Sequence, residues 1–170
     1  MKHFKLHRKS VEVEPILSEI RAHTTGWTEQ TGRQSLIHVQ AETNSIPLRG
    51  LRHSKIMGRR RRDVHETRPT SLAEHFPRTM ALIEALAEEV GGELGRAKLA
   101  RLPSGARVLP HVDRGEYYAF RDRYHLVVDS FSGSVLRAGN EEVSMCPAEL
   151  WWFDNKAIHS ARNESPHPRT

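Results

Sequence analysis

From residue 97 to the end, the chain breaks into short apolar segments, each closed by turn residues. Residues 97–102, 107–109, 124–128, 134–137, 141–145, 150–153 and 158–161 read as strands. Pro103-Ser104-Gly105, Ser132-Gly133, Gly139-Asn140, Cys146-Pro147 and Asp154-Asn155 separate them. Many short strands at this spacing, with a flanking helix, predict a barrel or jelly-roll core.

Ahead of this stretch the sequence is more polar and carries the helical signals. Ile16, Leu17 and Ile20 sit at helical spacing and predict a helix over residues 15–22. Residues 35–39 and 45–48 read as strands, with Pro47 arguing for an edge position. Ser71 to Glu74 has the form of a capping box. Pro77 then either opens the main helix or kinks it. Leu82, Ile83, Leu86, Ala87 and Val90 form its apolar stripe, and Gly91-Gly92 ends it. No internal repeat is visible. At 170 residues, the chain has the size of one domain. The expected fold class is α+β, mainly β. It comprises a double-stranded β-helix (jelly-roll or cupin-like) core over residues 96–170, with N-terminal helices over residues 1–95 packed on one sheet.

Composition narrows the function classes. No apolar run reaches the ~20 residues of a membrane span, and the basic first ten residues have no apolar stretch behind them, as a secretory signal would. One cysteine, Cys146, excludes an internal disulfide framework and thiolate-based zinc sites. The cytoplasm is the default compartment. Lys and Arg number 26 against 21 Asp and Glu, and residues 59–62 are four consecutive arginines. Such a run reads first as a solvated loop and second as a contact for an anion.

Among the 11 histidines, His111 and His159 have convergent partners. His111 and Asp113 are two residues apart after a short strand, so in an extended segment their side chains point the same way. His159 falls in a late strand. Two imidazoles and one carboxylate on a β scaffold form the facial set of non-haem Fe(II) oxygenases, which leaves coordination positions open for a co-substrate and O₂. The same residues are also compatible with a surface His–Asp pair and an unrelated core histidine. Arg169, ten residues beyond His159, has the chemistry to hold a carboxylate bidentately. Arg121, Arg123 and His125, at i, i+2 spacing, add cationic donors beside the metal.

The segments His111-Val112-Asp113, Arg123-Tyr124-His125, Gly139-Asn140-Glu141, Glu149 to Asn155, His159 to Asn163, and Arg169 together resemble the aspartyl/asparaginyl β-hydroxylase family of 2-oxoglutarate-dependent oxygenases. The likeness covers residues 96–170 and is most specific from Glu149 to Asn163. Ahead of it, only Ile46-Pro47-Leu48-Arg49 matches. The resemblance implies a double-stranded β-helix using Fe(II), 2-oxoglutarate and O₂. It places His111, Asp113 and His159 as metal ligands, and Arg169, Arg123 and His125 at the co-substrate. Animal peptide hydroxylases of the family carry glycine where this chain has Asp113. Arg121 matches a substrate-carboxylate position, and Arg49 and Trp152 complete the candidate substrate contacts. The family continues with a strand after the arginine equivalent to Arg169, whereas this chain ends at Thr170. The expectation is therefore a truncated core whose frayed terminus positions Arg169 poorly.

The implied reaction is hydroxylation of a C–H bond in a small-molecule or peptide substrate bearing a carboxylate or amide. That substrate is an Asp or Asn side chain in a peptide or protein, or a free or carrier-bound amino acid. Two rivals remain at this point. One is a non-catalytic cupin-like module that binds an anion such as nucleic acid, although no aromatic residues interleave the basic run. The other is a cupin-type metalloenzyme without 2-oxoglutarate, which Arg169 argues against. A membrane partner is not expected.

Overall fold

The computed structural model describes residues 1–29, 42–53 and 62–170. The expected strand at 35–39 and Arg59 to Arg61 of the arginine run lie outside these residues. The fold is mainly β, with antiparallel sheets and a few helices. Among the described residues, no helix is long and apolar enough to cross a membrane.

In chain order the elements are β1 (Phe4–Arg8), α1 (Glu14–Ala22), α2 (Gly26–Glu29), β2 (Asn44–His53) and β3 (Arg62–Pro69). A 3₁₀ turn over Ser71–His75 follows, then α3 (Pro77–Glu89), β4 (Ala97–Arg101), β5 (Arg107–His111) and α4 (Glu116–Phe120). The last five strands are β6 (Arg123–Leu126), β7 (Ser134–Ala138), β8 (Glu141–Val143), β9 (Leu150–Phe153) and β10 (His159–Asn163). The ten described strands form three antiparallel sheets ordered β1-β9-β6, β5-β10-β7-β8 and β3-β2-β4.

The first two sheets share an apolar core. Phe4, Trp151 and Phe153 of one meet Leu136, Ala138 and Val143 of the other. Strand β1 is absent from the sequence expectation because only Phe4 and Leu6 break the basic pattern of residues 2–9. Its partner β9 supplies the missing apolar surface, pairing Phe4 with Phe153 and Leu6 with Trp151.

The third sheet is two-faced, with period 2 along β2 and β4. Ile46, Leu48 and Leu99 face α1, Trp27 and the 3₁₀ turn, where Ile16, Ile20, Leu72 and Phe76 complete a second core. The paired residues Pro47 and Lys98 turn to the opposite side, toward the cleft described below. Pro47 lies on the central strand of this sheet rather than on an edge strand. The position is tolerable because the described pairing with β3 begins only at Arg49, so no described ladder bond to β3 needs an N–H at Pro47, whose carbonyl accepts from the Thr70 hydroxyl at 2.6 Å.

The capping box does not form. Residues 71–75 make a 3₁₀ turn with no side-chain cap, and the main helix begins at Pro77, in whose first turn a missing N–H costs nothing. The orphan amides of α3 are satisfied from another helix. Glu19 of α1 accepts from the N–H groups of Arg78 (2.7 Å) and Thr79 (2.9 Å) and from the Thr79 hydroxyl (2.6 Å). The Glu19→Ala variant is therefore expected to lose about 1–2 kcal/mol, as for loss of an N-cap, readable as a lower urea midpoint at unchanged slope. At the other end, Gly91 takes φ +72° and the N–H of Gly92 reaches the Ala87 carbonyl at 2.9 Å, as the glycine pair predicts.

The C-terminus is not frayed. The N–H of Arg169 donates to Leu102 O (2.9 Å), and Arg169 O accepts from the Leu102 N–H (2.8 Å). Thr170 O accepts from the N–H groups of Val128 and Asp129, and the Thr170 N–H donates back to Asp129 O. Asn163, 1% exposed, secures the tail from within: its Nδ2 donates to the carbonyls of Leu102, Pro103 and His167. Backbone pairing to residues far back in the sequence supports Arg169.

Candidate metal centre

His111 ends β5 and His159 begins β10, and the two are register partners across neighbouring strands. Their rings lie 4.3 Å apart between centroids. Each ring is turned by the same local device. His111 Nδ1–H donates to Leu109 O at 2.8 Å, and His159 Nδ1–H donates to Ala157 O at 3.0 Å. A carbonyl only accepts, so both rings carry the proton on Nδ1 and present the Nε2 lone pair. Both Nε2 atoms are buried and without a hydrogen-bond partner. Asp113 brings its carboxylate to the same point, with Oδ1 3.9 Å from His111 Nε2. Ligand atoms of the three residues lie within 4.8 Å of one another.

Two buried imidazole acceptors without a hydrogen-bond partner, facing a carboxylate, fit a cation, because unsatisfied buried polar atoms are costly. The donor set, two neutral imidazoles and a carboxylate, suits a divalent first-row metal. Burial holds the His159 pKa below its ordinary value, which keeps the lone pair available at neutral pH.

Arg123 Nη1 lies 2.9 Å from Asp113 Oδ2. The contact has ion-pair distance but not hydrogen-bond direction, so Oδ2 still has no hydrogen bond. It offsets the charge of a carboxylate side chain that is only 7% exposed.

The centre opens on a cleft of about 1510 Å³ lined by residues of all three sheets, including Arg123, His125, Phe153 and Arg169. His125 and Arg123 share one face of β6, opposite Trp151 and Phe153 on β9. The Phe153 ring stands between His125 (4.8 Å) and His159 (5.3 Å). Burial drives the His125 pKa well below its usual value, and the charges of Arg169, Arg123 and Lys98 push it the same way. His125 is thus neutral inside a cationic surround. Burial lowers the Arg169 pKa to about 10, and the only hydrogen bond its guanidinium makes among the described residues is to the Met145 sulfur (3.4 Å).

The candidate substrate residues are spread more widely. Arg49 and Arg121 line the outer cleft and an adjoining hollow of about 640 Å³. Arg49 is engaged with Thr67 (Nε to Oγ1, 3.2 Å), and Arg121 donates to His65 O at 3.1 Å. Trp152 stands on the face of β9 opposite Phe153 and is not among the residues lining the cleft. Two cleft residues went unread in the sequence. Lys98 falls within an expected strand, and the pairing of β4 with β2 places it, still exposed, at the cleft. Asn155 looked like a turn residue; it is 1% exposed, borders the cleft, and leaves its Oδ1 unpartnered.

A family model described as aspartyl/asparaginyl beta-hydroxylase matches residues 52–170, more than two thirds of the chain. No curated protein matches it.

Proposed function

Because the chain belongs to the aspartyl/asparaginyl β-hydroxylase family, a family of hydroxylases, we propose that it is an Fe(II)- and 2-oxoglutarate-dependent dioxygenase. Its substrate is an Asp- or Asn-type side chain in a peptide or protein, or a free or carrier-bound amino acid. The two packed sheets would then correspond to the double-stranded β-helix of such enzymes. The observation that carries the proposal is the convergence of the unpartnered His111 Nε2 and His159 Nε2 with the Asp113 carboxylate, beside a cleft that also holds the Arg169 guanidinium.

His111, Asp113 and His159 would hold the metal. Iron(II) bound there supplies the oxidising chemistry by which O₂ and 2-oxoglutarate convert C–H to C–OH, with succinate and CO₂ as co-products. The protein's part is binding, orientation and exclusion of water. Arg169, fixed by backbone bonds on both sides, would take the distal carboxylate of the co-substrate as a bidentate pair. Neutral His125 would add a hydrogen bond beside it without competing for the anion. Phe153 packs between His125 and His159 and keeps that wall of the site apolar. Arg123 would steady Asp113 from the far side, leaving Oδ1 turned toward His111. Arg49 and Arg121 line the outer cleft and the adjoining hollow, and would meet a substrate carboxylate there.

The test is an anaerobic Fe(II) titration with and without 2-oxoglutarate, followed through the weak visible charge-transfer band of the chelate. A band that saturates at one equivalent supports the proposal. Iron binding without a band on adding 2-oxoglutarate would restrict the site to metal alone and favour a cupin-type metalloenzyme. No iron binding would remove the enzyme reading and leave the anion-binding module.

A further inference from the structure

The two histidines of the metal centre are oriented by the same hydrogen bond but on very different supports. Leu109, the acceptor for His111, lies inside strand β5, between Val108 and His111, which both pair with β10. Ala157, the acceptor for His159, lies in the 154–158 loop between β9 and β10. A loop carbonyl fixes a ring only as well as the loop itself is fixed.

That loop is held by the N-terminal residues of the chain. The N–H of Asp154 donates to His3 O (2.9 Å), and the His3 ring meets the Asp154 carboxylate, Nδ1 to Oδ2, at 3.0 Å. The other Asp154 oxygen accepts from the N–H of Lys156 (3.0 Å), and the Asp154 carbonyl accepts from the N–H of Ala157 (3.3 Å). His3 is secured in turn by Glu141 at the start of β8, whose carboxylate accepts from the N–H groups of Lys2 (2.7 Å) and His3 (2.8 Å). Those two bonds hold the Glu141 pKa below its usual value. Gly139 admits the ring: its φ is +57°, and a Cβ there would stand 2.6 Å from His3 Nε2. The N–H of Gly139 also donates to Ile158 O at 2.8 Å, closing the loop from its other end.

We infer that His3, Asp154 and Glu141 form a clamp that positions the metal ligand His159 through the Ala157 carbonyl. They are positioning residues, none of which faces the cleft among its lining residues. The inference rests on the metal-centre reading above. It also assigns a role to His3, which the sequence alone leaves without a partner, and to the Asp154 turn.

Co(II) is the probe, since it reports coordination geometry in its visible spectrum and its binding needs neither co-substrate nor turnover. His3→Ala and Glu141→Gln are expected to weaken Co(II) binding about tenfold, the lower end of the effect of groups that orient a ligand. The bound Co(II) spectrum at saturation should shift as His159 loses its fixed angle. His3→Asn, which keeps a donor near the Nδ1 position, should restore both. Melting curves of the metal-free variants confirm that each is folded, and Glu141→Gln, which preserves shape, keeps the test open if His3→Ala does not fold. Wild-type affinity and spectrum in folded His3→Ala and Glu141→Gln would overturn the clamp while leaving the metal centre intact. Failure of His3→Asn to restore the spectrum would also overturn it, by assigning the effect to lost packing. If His111→Ala binds Co(II) as the wild type does, the metal is not at this site, and the metal-centre reading falls together with the clamp.

Discussion

His111→Ala and His159→Ala are each expected to lower Fe(II) affinity at least a hundredfold and to take hydroxylation below detection. Each removes a ligand atom itself, whereas loss of a group that merely orients a ligand costs about 10–100-fold. The fold should survive both changes. Each ring makes one backbone hydrogen bond, and removing it also removes a buried acceptor that has no protein partner. Anaerobic iron binding and thermal melting on the same samples separate the two effects. Metal affinity within threefold of wild type in either variant would remove that histidine from the centre. Asp113→Gly is expected to be milder, since family members with glycine at this position keep two histidines as ligands. Its cost includes an Arg123 guanidinium left without the carboxylate it now faces.

Arg169→Met is expected to weaken 2-oxoglutarate binding about 30- to 100-fold. A charge-assisted contact contributes about 2–3 kcal/mol, and about 1.4 kcal/mol is tenfold. Stability should move in the opposite sense or not at all. The guanidinium is surrounded by protein closely enough to bring its pKa to about 10, and among the described residues no carboxylate pairs with it. A cation desolvated without a partner opposes folding, so an apolar side chain of similar length is expected to leave the melting temperature of the ligand-free protein equal or higher. Adding 2-oxoglutarate should then raise the melting temperature of the wild type and barely that of the variant. Equal thermal shifts in the two proteins would show that the co-substrate does not use Arg169.

The strand-rich half was legible because its signals are local. Residues 150–153 match β9 at both ends, and the expected strands at 97–102, 124–128, 134–137 and 158–161 fall within a residue or two of β4, β6, β7 and β10. Alternation and turn residues suffice where each strand carries its own apolar side chains. Strand β1 escaped because its apolar content is two residues, and its pairing with β9 spans nearly the whole chain. The capping box at Ser71 was misleading for a related reason: Glu19, 59 residues from Arg78, supplies the cap instead. Local patterns state what a segment is able to do, and distant partners decide what it does.

The candidate site divides the same way. Sequence alone supplied the candidate ligand types, the two-residue spacing of His111 and Asp113 and the likeness to a hydroxylase family, because those depend on side-chain chemistry and short-range spacing. Only the tertiary structure decided that His111 and His159 face each other as register partners, that Lys98 turns toward the cleft while Trp152 does not border it, and that Arg169 is held at a terminus expected to fray. The physical reason is that facing depends on strand register, and register is set by residues far apart in the chain. A one-residue shift of β10 against β5 would turn His159 to the opposite face and dissolve the centre without changing a single residue.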